Sequence, residues 1–160
     1  MGNAVSIPRK RWLLLVAVLL YLRSKRFPKG LKQRKPEEGQ TFVHLSHGRV
    51  HYRQTGQGKN IVVLIHGFST PSVVFDTIRK GLEGRNTVIT FDNYGRGYSD
   101  GPDTPNTGEL FVGQLAELLY CLRISCPVDV VGYSMGGAIA ALFAGRWMCV
   151  CMCVYVCVCL

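Results

Sequence analysis

Between residues 42 and 146 the spacing of apolar residues switches repeatedly between a period of two and a period of three to four. Phe42-Val43-His44-Leu45 and Val50-His51-Tyr52-Arg53 flank His47-Gly48 and predict a β-hairpin turning at the glycine. Ile61 to Ile65 is an uninterrupted β-branched and aliphatic run, which suits a strand covered on both faces. Residues 72 to 83 place Val73, Val74, Ile78 and Leu82 at helical spacing, and Thr87 to Phe91 follow as a short strand. Over 109 to 123 the residues Leu110, Phe111, Leu115, Leu118, Leu119 and Leu122 recur at three and four, predicting a helix with one apolar face. Val128 to Val131 and then 135 to 146 supply a further strand and helix. The alternation predicts an α/β architecture, a mostly parallel sheet wrapped by helices. Ligands of such sheets bind beyond the carboxyl ends of the strands.

Three polar motifs stand at those ends. His66-Gly67-Phe68 closes the strand 61–65, and Asp92-Asn93-Tyr94-Gly95-Arg96-Gly97-Tyr98-Ser99 follows the strand 87–91. Gly132-Tyr133-Ser134-Met135-Gly136-Gly137 joins the strand 128–131 to the last helix. A serine on a tight strand-to-helix turn is held in a strained backbone conformation, and Gly132 and Gly136 remove side chains that would collide as strand and helix fold back. Its hydroxyl is pushed into the open, where a nucleophile belongs. An ordinary turn serine is the plainer reading of the same residue. His44, His47 and His51 read as solvated hairpin positions rather than metal ligands, and no metal or other cofactor is expected.

Over roughly residues 42 to 145 these motifs resemble the α/β-hydrolase fold family, in the branch that holds lipases, esterases, epoxide hydrolases and proline iminopeptidases. The resemblance implies that Ser134 attacks a carbonyl carbon while the backbone N–H groups of Phe68 and Met135 hold the oxyanion. It implies that His66 orders the oxyanion loop with Gly67 rather than acting as base. Asp92 and its glycine-rich turn are expected to shape the pocket wall. The implied substrate is a carboxylic ester, small or lipid-derived.

The family order runs nucleophile, acid, histidine. Only 26 residues follow Ser134, and they hold no Asp, Glu or His. A serine without an oriented base is a poor nucleophile, so this chain is expected to be inactive or nearly so. The expectation is the N-terminal half of the fold, with the strand ending at Tyr133 left as an exposed sheet edge. From Met148 to Cys159, Met or Val alternates with Cys or Tyr, a series that ATG, GTG, TGT and TAT codons encode as an unbroken purine-pyrimidine repeat. Arg146-Trp147 can be encoded AGG-TGG, which contains an exon-intron junction. Residues 147–160 are therefore read as translated intron. A soft-metal cysteine cluster and a β-strand remain the alternatives.

Composition changes the picture only when divided. Of 19 Lys and Arg, ten lie in residues 1–36, which hold no acid; residues 37–160 carry nine bases against ten acids, about −1. The net +9 belongs to the N-terminal segment, and a nucleic-acid-binding domain is not indicated. There, Trp12 to Leu22 is apolar between basic flanks. Eleven helical residues span about 16 Å, half a bilayer core, so residues 1–27 are expected to form a short, uncleaved membrane anchor. Seven Lys or Arg after the apolar run against three before it orient the hydrolase side to the cytosol, on the endoplasmic reticulum or another intracellular membrane. Gly2 opens a myristoylation pattern. Residues 28–40 read as a solvated linker, and 41–146 as the partial hydrolase domain. A non-catalytic membrane-bound fragment or binding protein is the competing function.

Overall fold

The computed structural model describes residues 40–146 and the backbone of Cys153–Cys157, all within one compact unit, Lys35–Leu160. The expected anchor, the linker and the Gly2 acylation site, and the side chains of the cysteine tail, lie outside the described residues. No helix among the described residues is long and apolar enough to cross a membrane.

Six strands form one sheet: β1 (Thr41–Leu45), β2 (Gly48–Thr55), β3 (Asn60–Ile65), β4 (Asn86–Phe91), β5 (Val128–Tyr133) and β6 (Cys153–Cys157). Their order across the sheet is β1-β2-β4-β3-β5-β6. The hairpin β1–β2 is antiparallel, β2 pairs antiparallel with β4, and β4, β3, β5 and β6 run parallel. Three helices follow the parallel strands: α1 (Asp76–Leu82), entered through a 3-10 turn at Ser72–Phe75, α2 (Gly108–Cys121) and α3 (Met135–Arg146). The side chain of Thr107 caps α2 by accepting the Leu110 N–H at 3.2 Å.

Alternation along β3 divides the core. Val63 and Ile65 join Ile89, Phe91 and Val130 beneath α2 and α3, whereas Val62 and Leu64 pack with Val88 and Phe75 on the α1 side. The larger layer draws on the stripe of α2 as its spacing predicts, with Leu110, Phe111, Leu115, Leu118 and Leu119 all buried.

Two expectations need correction. Residues 72 to 83 form a 3-10 turn followed by a short helix rather than one helix, and of the four apolar residues in the pattern only Leu82 packs against the core. Phe75 and Arg79 are buried while Val73, Val74 and Ile78 are 59, 45 and 51% exposed. Arg79 stays inside because its guanidinium pairs with Glu83 at 2.7 Å and donates to Thr55 Oγ1 at 3.3 Å. The strand ending at Tyr133 is also not an edge: β6 pairs with it in parallel from Asp129↔Cys153 to Tyr133↔Cys157. The strand reading of the tail thus describes the backbone there, since an alternating β-branched run supplies the ladder that β5 otherwise lacks.

Candidate active site

Ser134 occupies the turn between β5 and α3 with φ +53° and an exposed side chain. That left-handed conformation is unfavourable for a residue with a Cβ and persists because both sides of the turn are crowded. A Cβ on Gly132 would meet the Gly136 carbonyl, and one on Gly136 would meet the Ile65 carbonyl. Strand β5, helix α3 and the end of β3 therefore touch backbone to backbone. The Gly137 N–H closes the turn onto the Ser134 carbonyl at 2.9 Å.

The loop after β3 lies against this turn. A Cβ at Gly67 would stand 3.3 Å from Ser134 Cβ and 3.2 Å from the Tyr133 ring, so only glycine lets the loop approach without displacement. His66, fully buried, holds the loop through both ring nitrogens. The Asn93 N–H donates to Nε2 at 2.8 Å, which leaves the proton on Nδ1, and Nδ1–H donates to the Gly67 carbonyl at 2.7 Å. Burial lowers the His66 pKa, outweighing the support of the Gly67 hydrogen bond and of Asp92, so the ring is neutral in this arrangement. The Gly67 carbonyl belongs to the same peptide unit as the Phe68 N–H. Anchoring one end of that plane aims the other.

The loop after β4 is tied down by Asp92. Its Oδ2 accepts from His51 Nδ1 at 2.8 Å and from the Tyr98 N–H at 3.0 Å, and Oδ1 accepts from the Ser72 N–H at 2.8 Å. Burial pushes the carboxyl pKa up, but these donors outweigh it and hold the group at about 2. Gly97, at φ +52°, packs directly on the carboxylate, where any side chain would collide. Ser99 Oγ donates to the Asp92 carbonyl at 2.7 Å and accepts the His51 N–H at 3.0 Å. Gln114, buried in α2, donates to the same carbonyl and accepts the Tyr94 N–H, each at 3.0 Å.

This network corrects two readings. His51 is 3% exposed, an interior partner of Asp92 rather than a solvated strand position; His44 and His47 are exposed as expected. Asp92, 1% exposed, is an internal tie between β2 and the loops after β3 and β4 rather than a pocket wall. Ser72 and Gln114 stand outside the three motifs, and Arg96 and Ser99 stand in the glycine-rich turn without a role that the sequence assigns. Gln114 carried a signal, being a polar residue within the apolar stripe of α2. Among the described residues no group of His, Cys, Asp and Glu is arranged to hold a metal ion.

A strained, exposed serine between a parallel strand and a helix, with a backbone loop from the neighbouring strand packed beside it, is the construction of a nucleophile elbow. A model of the alpha/beta hydrolase family matches residues 62–159. The chain belongs to that family. It is 36% identical over 93 residues to an uncharacterised protein of Mycobacterium tuberculosis, covering 58% of this chain and 27% of that one. To 2-hydroxy-6-oxo-2,4-heptadienoate hydrolase of Pseudomonas putida it is 38% identical over 93 residues, covering 55% of this chain and 33% of the enzyme. The solved structure of a thermophilic esterase from Thermogutta terrifontis superposes with a TM-score of 0.67 at 26% identity, covering 74% of this chain and 44% of the esterase. The chain thus spans about a quarter to a third of the length of these two curated relatives.

Proposed function

We propose that this chain carries the nucleophile half of a serine hydrolase acting on carboxylic esters, small or lipid-derived. Ser134 attacks the carbonyl carbon, and the N–H groups of Phe68 and Met135 receive the oxyanion. The observation that carries the reading is Ser134 at φ +53°, exposed, with Gly67 seated against its Cβ. Donors fixed before reaction need no reorganisation as charge develops, and each is worth about 3 to 4 kcal/mol of barrier. No cofactor is required for this chemistry. Likeness to an esterase and to a hydrolase of an oxo-dienoate supports a carbonyl substrate, although the same scaffold hosts other hydrolyses.

In this family the acid and the histidine follow the nucleophile along the chain, and no residue is assigned to either role here. The second reading is a non-catalytic membrane-bound fragment or binding protein. Labelling with an alkyl fluorophosphonate separates them. Incorporation at Ser134 that disappears in Ser134→Ala supports the hydrolase, while labelling no greater than in that variant supports the binding protein.

The reading includes attachment to an intracellular membrane with the hydrolase side in the cytosol, supported by the apolar run Trp12 to Leu22 and its basic flank. Myristoylation at Gly2 would add a second, weaker anchor. Carbonate-resistant sedimentation and protease protection of microsomes test the attachment and its sidedness; Gly2→Ala tests the acyl chain.

A further inference from the structure

We infer that Arg96 is a positioning residue for the oxyanion loop, a guanidinium clamp that together with His66 fixes both peptide planes flanking Phe68. The inference rests on the serine-hydrolase reading and extends it to a residue outside the nucleophile turn.

The carbonyl of the Gly67–Phe68 plane is held by His66. The carbonyl of the next plane, Phe68–Ser69, accepts Arg96 Nε–H at 3.2 Å. With both planes anchored, the two torsions at Phe68 Cα have little freedom, and the direction of the Phe68 N–H is set. The side chain is secured by the same group. Phe68 is 67% exposed and has little burial to order it, yet the Arg96 guanidinium carbon lies 4.6 Å from its ring centroid. Arg96 is itself braced, donating from Nη1 to the Tyr94 carbonyl at 2.9 Å and lying 5.6 Å from the ring of Phe111 at the start of α2. Gly95 at φ +74° and Gly97 at φ +52° turn the chain on either side of it. Among the described residues Arg96 forms no ion pair with a carboxylate, so carbonyls and rings take the place of a counter-ion. A guanidinium can bond two carbonyls in its plane while stacking its face on a ring; an ammonium cannot do both.

The clamp is tested in the full chain with Arg96→Lys, which keeps the charge, and Arg96→Met, which removes it. Fluorophosphonate labelling of Ser134, whose phosphoryl oxygen uses the oxyanion donors, is expected to slow about tenfold in both variants. A companion Ser134→Cys chain is alkylated with iodoacetamide, a displacement at saturated carbon that develops no oxyanion, and the reaction is followed at position 134 by peptide mass spectrometry because Cys121 and Cys126 are also exposed. There Arg96→Lys is expected to leave the rate unchanged. Equal slowing of both reactions would mean that Arg96 only supports the fold, and slowing of neither would mean that it does not act on the donor; either overturns the clamp. If the unsubstituted chain fails to label while its Ser134→Cys form is alkylated at position 134, the serine is reachable but not activated in this chain. That result counts against the hydrolase reading of the chain and not against the contact, and amide exchange then decides the clamp. Amide exchange at residues 67–69 judges the contact without any chemistry: exchange about tenfold faster in Arg96→Lys is expected, and exchange equal to the unsubstituted chain overturns the clamp.

Discussion

The two sides of the candidate site are held by opposite means. At the Ser134 turn, order comes from what is missing: Gly132, Gly67 and Gly136 let three backbones touch, and steric crowding keeps the serine strained. Around Asp92, order comes from what is present, a buried carboxylate satisfied by His51, Ser72 and Tyr98 with Ser99 and Gln114 locking its backbone. The first arrangement tolerates no added atom. The second tolerates no missing hydrogen bond, because a buried polar group without its partner bears its full desolvation cost.

Substitution can break each side in its own way. The largest effect is expected from Asp92→Asn, which removes the charge and leaves at least one loop N–H, of Ser72 or Tyr98, unmatched, at about 3 to 5 kcal/mol of stability in urea unfolding. Gly136→Ala drives a methyl into the Ile65 carbonyl and is expected to cost about 3 kcal/mol, with little effect on His51 as followed by its ring resonances. Acid should reach the polar side through Asp92. Asp92 titrates near 2 in the folded chain against 3.8 ordinarily, so its contribution of about 2 kcal/mol is complete above pH 3.8 and is lost as pH falls through about 2. His66 acts higher on the pH scale. Its folded pKa lies below 6.5, so the unfolded chain binds the proton first and stability is expected to decline as pH drops below 6.5 in unfolding titrations. The smallest effect has the opposite sign: Ser134→Gly relieves the positive φ and is expected to stabilise by about 1 kcal/mol while abolishing labelling.

The contrast also explains what could be read from the chain. Steric order leaves glycines at fixed spacing, so the turn at Ser134 was legible, as was the strand-helix alternation from its periodicity. Polar order leaves single residues far apart: His51 and Asp92 are 41 positions apart, and no local pattern in β2 tells a buried histidine from a solvated one. Periodicity had a similar limit in α1. The spacing of Val73, Val74, Ile78 and Leu82 spans the 3-10 turn and α1 and defines a face but not its partner: Leu82 packs inward with Phe75 and the paired Arg79, while the other three face out. The pairing of β6 with β5 was missed for another reason, since codon regularity concerns where a segment came from and not whether its backbone can form a ladder.

Every residue of the Asp92 network lies between positions 51 and 114, ahead of the serine it helps to frame. During synthesis, where domains form from the amino-terminal side, these ties leave the ribosome before the turn at 134. The order of translation is therefore one in which the residues of the mould for the reactive loop emerge before its nucleophile, and the hydrogen-bond partners of His51 and Asp92 named above all precede Cys121.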